Sequence, residues 1–345
     1  MNKIFFVLFA LLPLLFACKS ESSRIEEKVE YYLSQMTLEE KVGILHAQSK
    51  FSSRGVPRLG IPELWTNDSC TAYPSLTCLA ATWDREMSAL YGTSLGEEAL
   101  YREKDVLLGP GFNIARTPLC GRNFEYYSED PFAAGAICTA ETKGIQSKGV
   151  YVYMKHFALN DTEQDRIGLG VWLNEQSARE IYLKAFQGAL EASQAGGNGV
   201  MMAYTRWGTQ WSGGNYGLVT GIMKNEWGCH GLQITDNVLT TYVNGVDGVM
   251  AGTTAFDSMM AFYITDQLPL YENDPVVVSA MREACHQNLY AIAHSCGMNG
   301  VGPNTTIKVT EPLIIGTCRS AAIVFAVLAV LFIVLWIKGG KKLKA

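Results

Sequence analysis

The sequence lacks the residue spacing of a metal site and the charge of a nucleic-acid-binding protein. Its nine cysteines form no CxxC pair, and with the five histidines they form no cluster at zinc spacing. The formal net charge of -5 leaves no basic footprint, so we expect no nucleic-acid partner. No repeat of about 20 to 50 residues recurs, which argues against a solenoid or propeller. We therefore expect neither a metal nor an organic cofactor.

Apolar residues make up 48% of the 345 residues, enough to bury a large core. Short apolar runs alternate with helical stretches, which predicts an α/β fold with a parallel sheet, and the length favours a TIM-like (β/α) barrel. The predicted strands are 63–65, 79–82, 105–108, 149–154, 200–204, 232–235 and 249–251. The predicted helices are 85–102, 131–147, 174–195 and 275–294, with a helical segment over 24–48 that restarts at a capping box after Thr37.

The first 18 residues have the composition of an export signal. One basic residue, Lys3, precedes an apolar run from Ile4 to Phe16, and the run ends at Cys18 in a sequence typical of a bacterial lipobox. Lipid on Cys18 would attach the chain to a membrane. The alternatives are an ordinary signal peptide and an uncleaved anchor.

Residues 321–337 form an uncharged run at the short limit for a membrane-spanning helix. A buried core helix is the alternative, which the flanking basic residues disfavour. The lysines in 338–345 then predict a cytoplasmic tail, and 301–320 reads as a linker or stalk. This organisation leaves a barrel over 19–300 and predicts an exported, membrane-attached protein of the cell envelope, with the barrel on the extracytoplasmic side.

Polar residues follow several of the predicted strands, where barrel enzymes build their active sites. Asp236 ends the apolar run that begins after Gly231, which makes it a candidate nucleophile or base. Lys155 and His156 follow the strand predicted at 149–154, and Tyr204 ends the next one. Because the carboxyl ends of parallel strands meet at one rim, we expect these side chains to lie together.

Each candidate also has a purely structural interpretation. Asp236 could cap a helix that follows its strand. His156 could be a core histidine, and Arg122 could serve only as an ion-pair partner of Glu125. Two tryptophans either stack on a sugar ring or pack against the rim of the barrel, namely Trp207 and Trp211.

Seven segments occur in the order found in one enzyme family. They are Met36–Lys41, Gly60–Pro62, Ala80–Asp84, Gly121–Pro131, Lys155–Phe157, Asn225–Gly228 and Thr235–Asp236. Each segment alone is a weak signal, but the ordered set is specific. On these residues the chain resembles the N-terminal barrel domain of glycoside hydrolase family 3, of β-glucosidase type, over roughly residues 24 to 300.

The resemblance implies retaining hydrolysis of β-linked glucosides or oligosaccharides, with no cofactor. Asp236 corresponds to the nucleophile that attacks the anomeric carbon. Arg122, Lys155 and His156 correspond to residues that bind sugar hydroxyls, and Tyr204 corresponds to a tyrosine that lines the pocket.

The chain departs from the family pattern in two places. An Asp-Gly-Pro loop, whose aspartate binds sugar hydroxyls deep in the pocket, is missing after Pro62, and the nearest carboxylate is Asp68. The acid/base glutamate usually comes from a separate domain for which we expect no residues here, and 155–160 lacks the His-Asp loop that one branch uses instead. The alternatives to an active hydrolase are therefore a catalytically impaired sugar-binding barrel and half of a split glycosidase whose partner chain supplies the acid.

Overall fold

The computed structural model describes residues 21–49, 51–68, 72–192, 198–238, 240–257, 267–298 and 320–332. The chain divides into two units, Met1–Pro303 and Asn304–Ala345. The predicted signal segment with its lipobox, the basic tail and nearly all of the predicted stalk lie outside the described residues.

The strands are short and numerous in the first unit. They are β1 Ala47–Ser49, β2 Ser52–Ser53, β3 Thr66–Asn67, β4 Val106–Leu107, β5 Tyr151–Phe157, β6 Gly170–Val171, β7 Asn198–Met202, β8 Arg206–Trp207, β9 Gln210–Trp211 and β10 Gln233–Thr235. The α-helices are Glu21–Gln35, Leu38–Ile44, Leu76–Ala80, Arg85–Tyr101, Pro131–Gln146, Glu175–Ser177, Lys184–Ala192, Gly245–Ala251 and Pro275–His294. π-helical turns cover Ala178–Tyr182 and Gly217–Glu226, and 3-10 turns cover Pro57–Leu59, Asn123–Glu125, Ser212–Gly214 and Leu268–Tyr271.

Five parallel strands form the main sheet, in the spatial order β3-β4-β5-β7-β10, which is also their order along the chain. This arrangement is what successive β-α units produce, and the sheet curls into a half-barrel. Isolated parallel bridges continue the pairing from Ile234 to Ala255 and from Phe256 to His46. The predicted α/β class with a curled parallel sheet is therefore confirmed, although the described residues give the main sheet five continuous strands where a regular barrel has eight.

Helix ends follow the capping residues that the sequence supplies. Thr37 and Glu40 form the predicted capping box, with Glu40 N–H donating to Thr37 Oγ1 at 3.2 Å and Thr37 N–H to Glu40 Oε2 at 2.9 Å. Asp130 accepts from Ala133 N–H at 2.8 Å just before the helix that begins at Pro131. Three of the four predicted long helices are confirmed to within one residue. The fourth, 174–195, is interrupted, because the π-helical turn Ala178–Tyr182 separates Glu175–Ser177 from Lys184–Ala192, and 193–195 lie outside the described residues.

Two of the predicted strands are wrong because short apolar runs do not distinguish a strand from a buried helical turn. Residues 79–82 overlap the helix Leu76–Ala80, which begins at the capping side chain of Ser75. Residues 249–251 belong to the helix Gly245–Ala251, capped by Asn244. In both cases the polar residue that starts the helix lies outside the apolar run. A third predicted strand, 63–65, lies just before the observed β3.

The central strand, β5, is buried along its whole length. Buried strands of a parallel sheet are normally apolar because helices cover both faces. Lys155 and His156 are exceptions within this strand, with only 5% and 2% of their surfaces exposed. Burying a cation is costly without partners, so these two side chains mark where the sheet supports a polar site.

In the second unit, residues 320–332 are helical and exposed. Among the described residues, no helix combines the length and the apolar character needed to cross a membrane. This finding overturns the predicted spanning helix at 321–337 and, with it, the predicted exported, membrane-attached location.

Candidate active site

Asp236 stands at the carboxyl end of β10. Its backbone N–H donates to Met202 O at 3.1 Å, so the end of β7 fixes its position. Oδ1 accepts the N–H of Asn237 at 2.8 Å, and the side chain remains 14% exposed. The next described helix has its own cap, Asn244. Asp236 is therefore not a helix cap, and its second oxygen, Oδ2, lies toward a pocket.

Lys155 and His156 lie at the carboxyl end of β5 and line that same pocket. Consecutive residues of a regular strand point to opposite faces. Here the pairing with β7 shifts register between Lys155 and Phe157, and the peptide bonds before His156 and Ala158 are cis. Asn113 holds the His156 backbone from both sides, accepting from its N–H at 2.7 Å and donating to its C=O at 2.9 Å. The end of β5 is thus irregular but firmly held.

A chain of polar contacts joins these residues to two loops. Arg122 Nη1 donates to His156 Nε2 at 3.0 Å, and Arg122 Nε donates to Glu125 Oε1 at 2.5 Å. Lys155 Nζ donates to Asp68 Oδ1 at 2.8 Å and lies 3.7 Å from Glu125 Oε2. The ion pair between Arg122 and Glu125 that the sequence suggests is therefore present, and Glu125 contacts both cations. Arg122 does more than pair with Glu125, because it also contacts His156.

The strand-end pocket brings together all six residues that the sequence predicts. Its empty volume is about 730 Å³, counting the open mouth, which is within the range of small-molecule sites. The lining comprises Phe51, Asp68, Leu108, Arg122, Lys155, His156, Arg166, Met201, Tyr204, Asp236, Asn237 and Asp257.

Burial and charge set the protonation of the two central groups. Burial raises the pKa of Asp236, whereas the Asn237 N–H and the cations Arg166, Arg122 and Lys155 oppose that rise. Burial, with the same three cations, lowers the pKa of His156 well below its usual value. His156 is therefore neutral, and because its Nε2 accepts from Arg122, the proton lies on Nδ1.

His156 Nε2 and Asp236 Oδ2 are 3.6 Å apart, longer than a hydrogen bond. Since His156 is neutral, this contact is not an ion pair. Among the described residues, Nδ1 of His156 has no hydrogen-bond partner. The carboxylate therefore faces the pocket without a direct proton donor from His156.

Tyrosines and a tryptophan form the wall beside Asp236. Tyr204 Oη donates to Asn237 O at 2.7 Å, and Tyr242 Oη donates to Asp236 O at 3.3 Å. Trp211 is buried, and its Nε1 donates to Ala203 O at 2.9 Å. Trp211 therefore packs beneath this wall and does not present its ring to a sugar in the pocket.

Sequence reasoning missed several residues of the pocket. Arg166 lies with its guanidinium carbon 4.6 Å from the centre of the Tyr204 ring, and it pairs with Glu163 at 2.8 Å. Asp257 follows the bridge residues Ala255 and Phe256, so it ends a short strand-like segment much as Asp236 ends β10. The apolar run before Asp257 was too short to signal a strand, and Arg166 comes from a loop without periodicity.

Comparison with known proteins agrees with this geometry. A model of the glycosyl hydrolase family 3 N-terminal domain matches residues 58–262. The chain belongs to glycoside hydrolase family 3. The match covers every strand of the main sheet and all six residues that the sequence predicts for the pocket.

Characterised members of family 3 are similar in sequence. The chain is 46% identical over 238 residues to the β-glucosidase BoGH3A of Bacteroides ovatus, a match that covers 63% of this chain and 32% of that protein. It is 36% identical over 241 residues to the thermostable β-glucosidase B of Acetivibrio thermocellus, covering 64% of this chain and 32% of the relative. The chain thus spans about a third of the length of these relatives.

Solved structures of family 3 are similar in fold. β-Glucosidase 3B of Thermotoga neapolitana, in complex with glucose, superposes with a TM-score of 0.72 at 30% identity, covering 79% of this chain and 43% of that one. The β-glucosidase of Kluyveromyces marxianus, also in complex with glucose, gives a TM-score of 0.72 at 27% identity, covering 77% and 34%. The fold similarity therefore extends over most of the described first unit.

Proposed function

We propose that the strand-end pocket catalyses retaining hydrolysis of β-glucosides, with Asp236 as the nucleophile. The observation that carries this proposal is a carboxylate at the end of β10, partly exposed to a pocket that Lys155 and Arg122 also line. Family membership and the β-glucosidase relatives support it. A carboxylate in this setting has an open approach to a bound sugar and nearby cations that favour its ionised form.

The first chemical step would form a bond between Asp236 Oδ2 and the anomeric carbon. The bond from that carbon to the leaving oxygen breaks with its electron pair, and the leaving oxygen takes a proton from an acid. Water then attacks the anomeric carbon, gives up a proton and releases the sugar, and Asp236 recovers its carboxylate. Net retention follows from two successive inversions.

The polar wall would hold the sugar by charged and neutral hydrogen bonds. Lys155 and Arg122 donate to hydroxyl oxygens, and Asp68 accepts from hydroxyl hydrogens. His156 positions the Arg122 guanidinium through Nε2, since its Nδ1 is buried, and Tyr204 bounds the side next to Asp236. Because Glu125 and Asn113 hold Arg122 and His156, the donors need little rearrangement when the sugar binds.

The loop after β5 supports an alternative in which the described residues do not supply the acid. One branch of the family carries a His-Asp acid/base pair on this loop, but here Leu159 and Asn160 are both about 1% exposed. Asn160 donates to Tyr126 Oη at 3.2 Å and to Glu163 Oε1 at 3.0 Å, so it supports the loop instead of facing the pocket. The alternative is therefore a sugar-binding or impaired site, or a site completed by an acid from a partner chain.

A covalent trap separates these possibilities, because fluoride leaves without an acid. A 2-deoxy-2-fluoro-β-glucosyl fluoride should add one fluoroglucosyl group, seen by intact mass, and peptide mapping should place it on Asp236. Asp236→Asn should abolish labelling, whereas the control Asp161→Asn, outside the pocket, should label normally.

Labelling of another residue, or undiminished labelling of Asp236→Asn, would refute the assignment. Calorimetric binding of glucose without any labelling would instead favour the sugar-binding alternative. Rapid labelling combined with slow hydrolysis of unactivated glucosides would favour the missing-acid alternative, since loss of a general acid typically costs about 100- to 10,000-fold in rate.

A further inference from the structure

A second cavity adjoins the strand-end pocket on the side away from Asp236. Its empty volume is about 1170 Å³, counting the open mouth. The two spaces share three wall residues, Asp68, Arg122 and Lys155, whereas Asp236 lines only the pocket. The adjoining cavity is otherwise lined by Tyr73, Pro74, Ser75, Leu76, Tyr91, Leu95, Leu107, Pro110, Gly111, Phe124, Glu125 and Glu141.

Aromatic rings form one side of the adjoining cavity. The rings of Tyr73 and Tyr91 lie with their centroids 5.4 Å apart, and Tyr91 Oη donates to Pro74 O at 3.1 Å. Tyr73 is 43% exposed and Phe124 is 66% exposed. Aromatic side chains beside polar groups provide apolar faces for sugar C–H bonds as well as partners for hydroxyls.

The lining of the adjoining cavity includes one buried carboxyl group. Glu141 comes from the helix Pro131–Gln146 and is 1% exposed, and its Oε2 accepts from Tyr127 Oη at 2.6 Å. Burial raises the pKa of Glu141 to about 8. The group is therefore protonated near neutral pH and can exchange hydrogen bonds with a hydroxyl without placing a charge in the cavity.

The position of the adjoining cavity follows from the geometry of a pyranose ring. When the anomeric carbon C1 lies at Asp236, C4 is across the ring, and O4 faces the wall of Asp68, Arg122 and Lys155. The two spaces meet at that wall, so a substituent on O4 would enter the adjoining cavity beside Asp68, whose side chain is 60% exposed. Asp68 and Tyr73 border the segment where the sequence departs from the family's Asp-Gly-Pro loop, so the cavity coincides with that departure.

We propose that the adjoining cavity binds a second sugar unit attached at O4 of the unit held against Asp236. Substrates would then be β-1,4-linked oligosaccharides bound with two sugar units on the nucleophile's side of the cleaved bond. This inference rests on the proposed function, because it uses Asp236 to orient the first sugar. Tyr73 and Phe124 supply the stacking faces, and Glu141 supplies a polar partner.

The test compares two trapping reagents on the intact chain. These are 2-deoxy-2-fluoro-β-glucosyl fluoride and the corresponding cellobiosyl fluoride, which carries one more glucose on O4. We expect the cellobiosyl reagent to label Asp236 about tenfold faster, as judged by the second-order rate constant. Tyr73→Ala should lower the ratio of the two rate constants by about tenfold. The matched control, Tyr216→Ala, removes a tyrosine that is 60% exposed and lines neither space, and it should leave the ratio unchanged.

Each outcome of this experiment is decisive. Labelling by the glucosyl reagent but not by the larger one would overturn the inference and leave the proposed function standing. A ratio that Tyr73→Ala does not change would also overturn it. If neither reagent labels, the proposed function fails, and calorimetry decides the inference: binding of cellobiose at least tenfold tighter than glucose, lost in Tyr73→Ala, would support the second subsite, and equal binding would refute it.

Discussion

Two regions line the strand-end pocket, the strand ends and the loop that carries Asp68, and they are built differently. At the strand ends, Asp236 and Lys155 stand in backbone that is fixed by the sheet and matches the family pattern. In the loop, the side chain of Asp68 is 60% exposed, and the sequence around it departs from that pattern. If the proposed function holds, the comparison teaches that the sheet positions the reacting carboxylate, and we expect the loop to determine which sugars fit.

The largest expected effect is a difference between variants of the two residues in the ion pair that joins these regions, Lys155 and Asp68. Lys155→Met removes a buried cation that contacts both Asp68 and Glu125, so we expect the rate of trapping by the fluoroglucosyl fluoride to fall about 100-fold. Asp68→Asn removes only the exposed partner and keeps a hydrogen-bonding group, so about tenfold is expected. Thermal melting should accompany the kinetics, because a fall in Tm would indicate a structural loss. An equal or larger effect of Asp68→Asn would contradict the comparison.

A smaller effect should appear in the pH dependence of trapping. Asp236 reacts as the ionised form, and its raised pKa means that the rate falls with decreasing pH at a midpoint above the 3.8 of an ordinary aspartate. Arg166 is a cation that opposes this rise, so Arg166→Met should move the midpoint to higher pH. Arg116→Met, whose arginine contacts Tyr182 outside the pocket, is the control. An unchanged midpoint in Arg166→Met would show that Arg166 has only a structural role.

The same contrast explains which parts of the site the sequence could predict. Asp236 and Lys155 were identifiable because each follows an apolar strand, and parallel strands must bring their carboxyl ends to one rim. Asp68 was only a guess from its proximity to the missing loop, and its 2.8 Å contact with Lys155 depends on folding across 87 residues. Arg166 gave no signal at all, since no periodic pattern surrounds it.

The fold was predictable to a similar degree. Long helices with polar caps, such as Pro131–Gln146 and Pro275–His294, were predicted to within one or two residues. Short apolar runs failed, because 249–251 has the same composition as a buried strand but follows the cap Asn244. The register shift that brings Lys155 and His156 to one pocket also has no counterpart in the residue pattern.

The smallest expected effect is a pH dependence of thermal stability that comes from Glu141 in the adjoining cavity and not from the strand-end pocket. Burial gives Glu141 a folded-state pKa of about 8 against the ordinary 4.5 of a glutamate, so the folded state binds its proton more tightly than the unfolded state does. The associated stability is fully present below about pH 4.5 and is lost as the pH rises through about 8. We expect Tm to fall by several degrees between these limits, and Glu141→Gln, which cannot ionise, should remove most of that fall. Glu129→Gln, which replaces an exposed carboxyl group outside both spaces, should preserve it. An equally steep fall in Glu141→Gln would place the titrating group elsewhere, and the adjoining cavity would then hold a carboxylate that is charged at neutral pH.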